Sequence, residues 1–231
     1  MGANLATATR ALLDAYLPRM QANSGLQLGM SDLLGQSALS ACNWVMAGPD
    51  IDCGNALPRI ASDPQALPFC ADAFDLVLLP FVLELCDDPA QVFNECYRVL
   101  RPEGYLLILA FNPRSLFGLL RRWRLWRQDS AWPWKTPFTS VGDLKKSLIA
   151  GDFECKQGRF FQYRLWLRPV RTRPRYRWIE LAGDRWWPTW GNAYLLLAQR
   201  REPGWIGPER IPQRLIHSIP QAGVWHSQEK P

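Results

Sequence analysis

Histidine is almost missing from this chain: His217 and His226 are the only two, both near the C-terminus. A histidine-based metal site or a Ser/Cys-His-Asp triad therefore has little to build on, and no metal is expected. Cysteine occurs six times (Cys42, Cys53, Cys70, Cys86, Cys96, Cys155) but never as a CxxC pair, and mostly in apolar surroundings. That pattern fits reduced core residues better than disulfides or zinc ligands. No run of about 18 apolar residues occurs, so no membrane-spanning helix is expected. The opening MGANLATATR lacks a charged start leading into an apolar core, and Ala6 breaks the myristoylation pattern. A secretory leader or acyl anchor is not expected, and the expected location is cytoplasmic. What is there is 231 residues, 48% hydrophobic and 21% charged, with a net charge of +6. This is globular composition, enough for one domain with an appendage.

One stretch, residues 63–113, concentrates independent signals. Residues 74–79 are a short apolar run without alternation, the pattern of a strand covered on both faces in a parallel sheet. Asp88 and Pro89 open a helix: Asp88 can cap the first amides, Pro89 suits the first helical position, and Gln91 stands where a capping-box partner reaches back. Val92, Phe93, Cys96, Tyr97 and Leu100 recur at helical spacing and mark a core-facing stripe. Pro102 and Gly104 stop the helix, and residues 105–110 form a second buried strand. Strand, crossover helix and strand make a right-handed unit with parallel strands.

In wording, order and spacing, LPF at 67–69, FDLV at 74–77, DDP at 87–89 and RVLRPEGYLLIL at 98–109 resemble the second half of the class I S-adenosylmethionine-dependent methyltransferases. The resemblance implies an α/β fold, a Rossmann-like doubly wound, mostly parallel sheet with an antiparallel last strand, and S-adenosylmethionine as cofactor. It implies that the Asp63 carboxylate receives the adenine amino group, with Pro64 beside it. The plain alternative for Asp63 is a turn or helix cap. Ligands in open parallel sheets collect at the carboxyl ends of strands, so Pro80 and Phe81 are expected beside the cofactor, with Phe81 on its methionine part. Glu84 replaces a histidine common in relatives; a base with a raised pKa stands against a capping or arginine-paired carboxylate. Asn112 either faces the substrate mouth or belongs to an ordinary Asn-Pro turn.

Upstream, Leu5, Leu12, Leu13, Tyr16 and Leu17 suggest a leading helix, expected across the sheet edge. Residues 25–29, GLQLG, stand where the family carries an acidic residue and a glycine-rich turn. Gln27 replaces the acid, and Met30 and Ser31 follow Gly29 where a second close glycine is usual. Gly29 and Met30 are the expected contacts to the cofactor's amino-acid part, before a short helix over 31–40 and a strand over 43–47. Asp50, rather than Asp52, lies at the distance expected for a ribose-binding carboxylate, unless it is an ordinary turn aspartate beside Pro49. The piece between Asp50 and Asp63 is too short for a normal helix plus strand.

Downstream, a helix over 141–150, a sixth strand within 152–167 and a seventh over 193–199 complete a domain spanning 1–201. Two basic, tryptophan-rich insertions, 114–140 and 164–192, form an expected lid, and 202–231 reads as a Pro-rich, flexible tail. Leu79-Pro80, Val82-Leu83-Glu84, Phe111-Asn112-Pro113, Ser115-Leu116, Gly118-Leu119 and Trp186-Trp187-Pro188 also resemble a bacterial subgroup of uncharacterised methyltransferase-like proteins. The resemblance implies methyl transfer to a small-molecule or lipophilic acceptor. Two other readings stay open. Arg121, Arg122, Arg124 and Arg127 interleaved with Trp123 and Trp126 suit RNA or an anionic membrane surface. The thin glycine turn suits a catalytically inactive binding module.

Overall fold

The computed structural model describes residues 3–29, 33–49, 57–115, 118–119, 138–162, 191–201 and 224–225. The elements are α1 (Ala3–Tyr16), a 3-10 turn (Leu17–Arg19), β1 (Ser24–Leu28), α2 (Gln36–Leu39), β2 (Asn43–Gly48), β3 (Arg59–Ala61), β4 (Phe74–Pro80), α3 (Pro89–Val99), β5 (Leu100–Phe111), α4 (Val141–Ala150), β6 (Phe153–Phe161), β7 (Ala193–Arg200) and β8 (Val224–Trp225). They build one sheet in the order β3-β2-β1-β4-β5-β7-β6-β8. The pairs from β3 through β5 are parallel, and β7 runs antiparallel to both β5 and β6. This is the doubly wound mixed sheet expected from the sequence.

Alternation decides which residue faces which layer. Val77, Leu79, Leu106, Ile108, Tyr194 and Leu196 share one core with Val92, Phe93 and Cys96 of α3 and Leu144 and Leu148 of α4. Leu76, Leu78, Leu107, Leu109, Leu195 and Leu197 share the other with Leu5, Leu12 and Leu13 of α1. The stretches Leu76–Leu79 of β4 and Leu106–Phe111 of β5 are continuously apolar because both of their faces are covered. It also corrects the expected place of the leading helix: α1 packs in the core of a sheet face rather than across an edge.

Local chemistry sets the boundaries. Asp88 caps α3 by accepting from the Ala90 and Gln91 amides at 2.9 and 3.3 Å, with Pro89 at the first turn. Gln91 does not close a capping box; its side-chain amide donates instead to the Gln65 carbonyl. Helix α3 ends at Val99, and β5 begins at Leu100, earlier than the expected Tyr105. The register shifts between Phe74↔Leu100 and Leu76↔Tyr105, leaving an excursion in which Glu103 has φ +62°. The helix expected over 31–40 is described only as the short α2. In the region called a flexible tail, Val224 and Trp225 pair with Arg159 and Gly158 on the β6 edge; the rest of 202–231 lies outside the described residues.

Asp75 interrupts the β4 run and ties three segments at the amino end of the sheet. Its Oδ2 accepts from the Asn23 and Ser24 amides, both at 2.9 Å, and from Ser24 Oγ. Its Oδ1 meets Arg101 at 2.7 Å. Burial pulls its pKa upward, but the bonds from Arg101, Ser24 and Asn23 outweigh this and hold the carboxyl below its ordinary value. Replacing Asp75 by Ala should cost about 2 kcal/mol, because two strand-end amides lose their acceptor. Urea unfolding of the Asp75→Ala protein checks this, and an unchanged midpoint would show that water substitutes fully.

Candidate functional site

With both sheet faces covered, the groups left open to a ligand lie at the carboxyl ends of the strands. After β1 comes Gly29, whose amide donates to the Ala47 carbonyl at 2.8 Å. Its φ is +75°, and a Cβ there would stand 2.9 Å from Val82 Cγ2. The position needs glycine on both counts. Strand β2 ends in Gly48, where a Cβ would lie 3.4 Å from Gly29 Cα. Two glycines therefore abut at neighbouring strand tips. The second close glycine that the sequence lacks after Gly29 comes from the next strand, and its signal was a glycine closing a predicted strand.

The Ser62 amide donates to the Gly48 carbonyl at 2.9 Å, which carries residues 62–65 past the glycine pair. Asp63 Oδ1 accepts from the Gln65 amide at 2.9 Å, closing an Asx turn. The plain reading of Asp63 as a turn residue thus holds for one of its oxygens. Beyond β4, Phe81 has φ +56° and turns the chain out of the sheet.

These ends enclose a cleft of about 470 Å³. Gly29 and Pro49 line it from β1 and β2, Ser62, Asp63, Pro64 and Gln65 from the segment after β3, and Val82, Leu85, Cys86 and Asp87 from the β4–α3 loop. Of the residues named for cofactor contact, the fold brings Gly29, Asp63 and Pro64 to one cleft. Met30 and Asp50 lie outside the described residues. Pro80 and Phe81 do not line it: Pro80 is buried and paired with Leu109 at the end of β4. The Phe81 ring packs on Phe111 at 4.6 Å in the core shared with α1. The positive φ at Phe81 points its side chain to that side, against the expected contact with a methionine chain.

The β4–α3 loop was legible only as far as Glu84, a stretch that includes Val82; its further cleft residues Leu85, Cys86 and Asp87 were missed, because only the turn at Phe81 shows which side chains look inward. Burial pushes the Cys86 thiol up to about 11, with Asp63, Asp87 and Glu84 adding to the shift. The thiol stays protonated at neutral pH, and among the described residues the charges acting on it are negative. Ser62 Oγ is buried with no hydrogen-bond partner among the described residues. A glycine pair, the Ser62 hydroxyl and the Asp63 carboxylate thus come together with apolar Pro64, Val82 and Leu85 at this cleft. Among the described residues, no group of three or more His, Cys, Asp or Glu is placed to hold a metal.

The two catalytic candidates, Glu84 and Asn112, are not among the residues that line the cleft. Glu84 is 5% exposed, and its Oε1 accepts from the Phe111 amide at 2.7 Å. Its Oε2 is buried with no hydrogen-bond partner among the described residues. Burial raises its pKa from 4.5 to about 7, against the lowering effect of the Phe111 amide. Asn112 staples β5 to β7: its amide donates to the Asn192 carbonyl and its Nδ2 to the Gly191 carbonyl, both at 2.9 Å. Its Oδ1 accepts from the Arg114 amide. Both side chains are engaged with backbone.

Because the folded state holds the Glu84 proton up to about pH 7 and the unfolded chain releases it near 4.5, stability falls as pH rises through that window. The loss is on the order of 3 kcal/mol. The Glu84→Gln protein should lack that slope in denaturant melts taken across the same pH range; parallel slopes for the two proteins would contradict it.

Residues 48–108 match the family model described as Methyltransferase domain. Uncharacterized protein YafS of Escherichia coli (strain K12) is 41% identical over 61 residues, which cover 26% of this chain and 25% of that protein. Ubiquinone/menaquinone biosynthesis C-methyltransferase UbiE of Ruegeria sp. (strain TM1040) is 34% identical over 101 residues, 44% of this chain and 36% of that protein. The chain thus spans well under half the length of these relatives. A solved S-adenosylmethionine-dependent methyltransferase of Thermotoga maritima, described as a possible histamine N-methyltransferase, superposes with a TM-score of 0.61 at 16% identity. That superposition covers 85% of this chain and 89% of that one. The fold is that of the class I methyltransferases.

Proposed function

We propose that this chain, with its class I methyltransferase fold and its Methyltransferase-domain segment over 48–108, binds S-adenosylmethionine in the strand-tip cleft and transfers its methyl group to a small or lipophilic acceptor. The observation that carries the reading is that Gly29 and Asp63, far apart in the chain and following β1 and β3, line the same cleft on either side of the β2 tip. When bound, the cofactor supplies a methyl group already activated on a sulfonium. The work left to the protein is holding and orienting. Gly29, with Gly48 beside it, allows close backbone approach to the amino-acid end. Asp63 accepts from the adenine amino group with the oxygen its Asx turn leaves over, while Pro64, Val82 and Leu85 flank the ring. The negative field of Asp63 and Asp87 favours a cation over phosphate-bearing nucleosides.

The acceptor side supports a reaction without a dedicated base, since Glu84 and Asn112 are both committed to backbone. An acceptor that ionises readily meets that requirement. Phe138 is half-buried on Phe111, ring centroids 5.1 Å apart, and offers apolar surface at the tip of β5. The UbiE relative acts, by its name, in quinone biosynthesis, which is in keeping with a lipophilic acceptor. The lid segments and the RNA or membrane reading of their arginines and tryptophans fall largely outside the described residues. Among the described residues, no helix is long and apolar enough to cross a membrane.

Isothermal titration with S-adenosylmethionine tests the proposal; no heat at millimolar ligand would end it. Two variants place the ligand. Asp63→Asn keeps the acceptor for the Gln65 amide and should melt like the parent, yet bind the cofactor about tenfold to a hundredfold more weakly, the loss of a charged hydrogen bond. Gly29→Val drives a side chain toward Val82 in a left-handed backbone and should abolish binding, read by the same titration with circular dichroism as the folding control. Binding that survives Gly29→Val would put the ligand elsewhere.

A further inference from the structure

We propose that Glu84 is a positioning residue for the cleft: as a neutral carboxyl it clamps the β4–α3 loop to the tip of β5, and ligand affinity falls when that carboxyl ionises. The inference rests on the assignment of the cleft as the cofactor site.

The geometry starts in the ladder between β4 and β5. Pro80 pairs with Leu109, and the Phe81 amide still donates to the Leu109 carbonyl at 2.8 Å. At Phe81 the chain turns away at φ +56°, so β4 offers no further carbonyl to β5. The next β5 amide on that side, two residues on, belongs to Phe111. Its acceptor is Glu84 Oε1 at 2.7 Å. A side chain thus continues the ladder where the backbone stops, and it sits inside the segment that supplies Val82, Leu85, Cys86 and Asp87 to the cleft wall. That wall is held to the sheet through a buried carboxyl.

One oxygen is satisfied. The other, Oε2, is buried with no hydrogen-bond partner among the described residues, a tolerable state for a protonated carboxyl and a costly one for a carboxylate. The groups around it give a charge no compensation. Tyr194 on β7 feels Glu84 and, from α4, Asp143. Cys86 on the loop itself feels Glu84, Asp63 and Asp87. Among the described residues, the charges acting on those two neighbours are all negative, and β5 contributes a backbone amide and no titrating group at Phe111. Ionised Glu84 must therefore reach water, which it does by lifting the loop. Cys86 titrates near 11 and Tyr194 is pushed above its ordinary range by burial. Among these neighbours, only Glu84 changes charge around neutral pH.

The test is titration of S-adenosylmethionine into the full-length wild type and the Glu84→Gln and Glu84→Leu proteins from about pH 6 to about pH 8.5. Glutamine keeps an oxygen for the Phe111 amide and cannot ionise, so it stands for the protonated clamp. Any titration of the ligand itself is common to all three and cancels in the ratio of wild type to Glu84→Gln. That ratio of dissociation constants should rise by about tenfold or more across the range, starting near one. Glu84→Leu removes the acceptor and should bind weakly, without recovery at low pH, while Glu84→Gln restores affinity. A constant ratio across the range, or equal affinity of Glu84→Gln and Glu84→Leu, overturns the clamp while leaving the cleft assignment standing. Absence of binding by every protein at every pH overturns the assignment instead.

Discussion

The constraint on which this structure depends is that its central strands are buried on both faces. Leu78 and Leu107 look toward α1 while Val77, Leu106 and Ile108 look toward α3 and α4, and each fully buried leucine contributes about 2 kcal/mol. Such strands cannot open a face to a ligand without losing that burial. Chemistry is therefore pushed to the strand ends, where the backbone leaves its ladder. The cleft forms where β1, β2 and β4 release the chain in different directions.

Each release is achieved by a different device. At β1 the chain leaves through a left-handed glycine. At β2 a second glycine leaves room for the first, and after β3 an aspartate closes its own turn with one oxygen and keeps the other. At β4 a phenylalanine takes the left-handed conformation, a strain of order 1 kcal/mol, offset by a ring packed on Phe111. The carboxyl of Glu84 then supplies the hydrogen bond that the departing strand no longer can. The opposite end of the sheet shows the same economy, since Asp75 gathers the amides of Asn23 and Ser24 and the guanidinium of Arg101.

A cleft of this kind binds by shape and field more than by general acid or base groups. Its walls are proline, valine and leucine, its charges are aspartates, and its thiol is held protonated. The polar side chains of Glu84 and Asn112, outside the cleft lining, hold the scaffold together. For a donor whose leaving group is already cationic, orientation and exclusion of water are sufficient work for a protein.

The amino-acid sequence by itself determined the strand-helix-strand unit of residues 74–111, because continuous apolar runs, an Asp-Pro cap and helical spacing are local signals that burial then rewards. It also singled out Gly29 and Asp63 as candidates, through a turn glycine's distance to the downstream block and an aspartate before LPF. The tertiary structure alone decided that Gly48 abuts Gly29, that Phe81 turns into the core instead of the cleft, and that Glu84 is tied to Phe111. Those facts depend on strand order and on one backbone angle, and no side-chain periodicity encodes either. The physical division is between interactions within one element, which a sequence displays, and contacts between strand tips, which exist only once the sheet has chosen its neighbours.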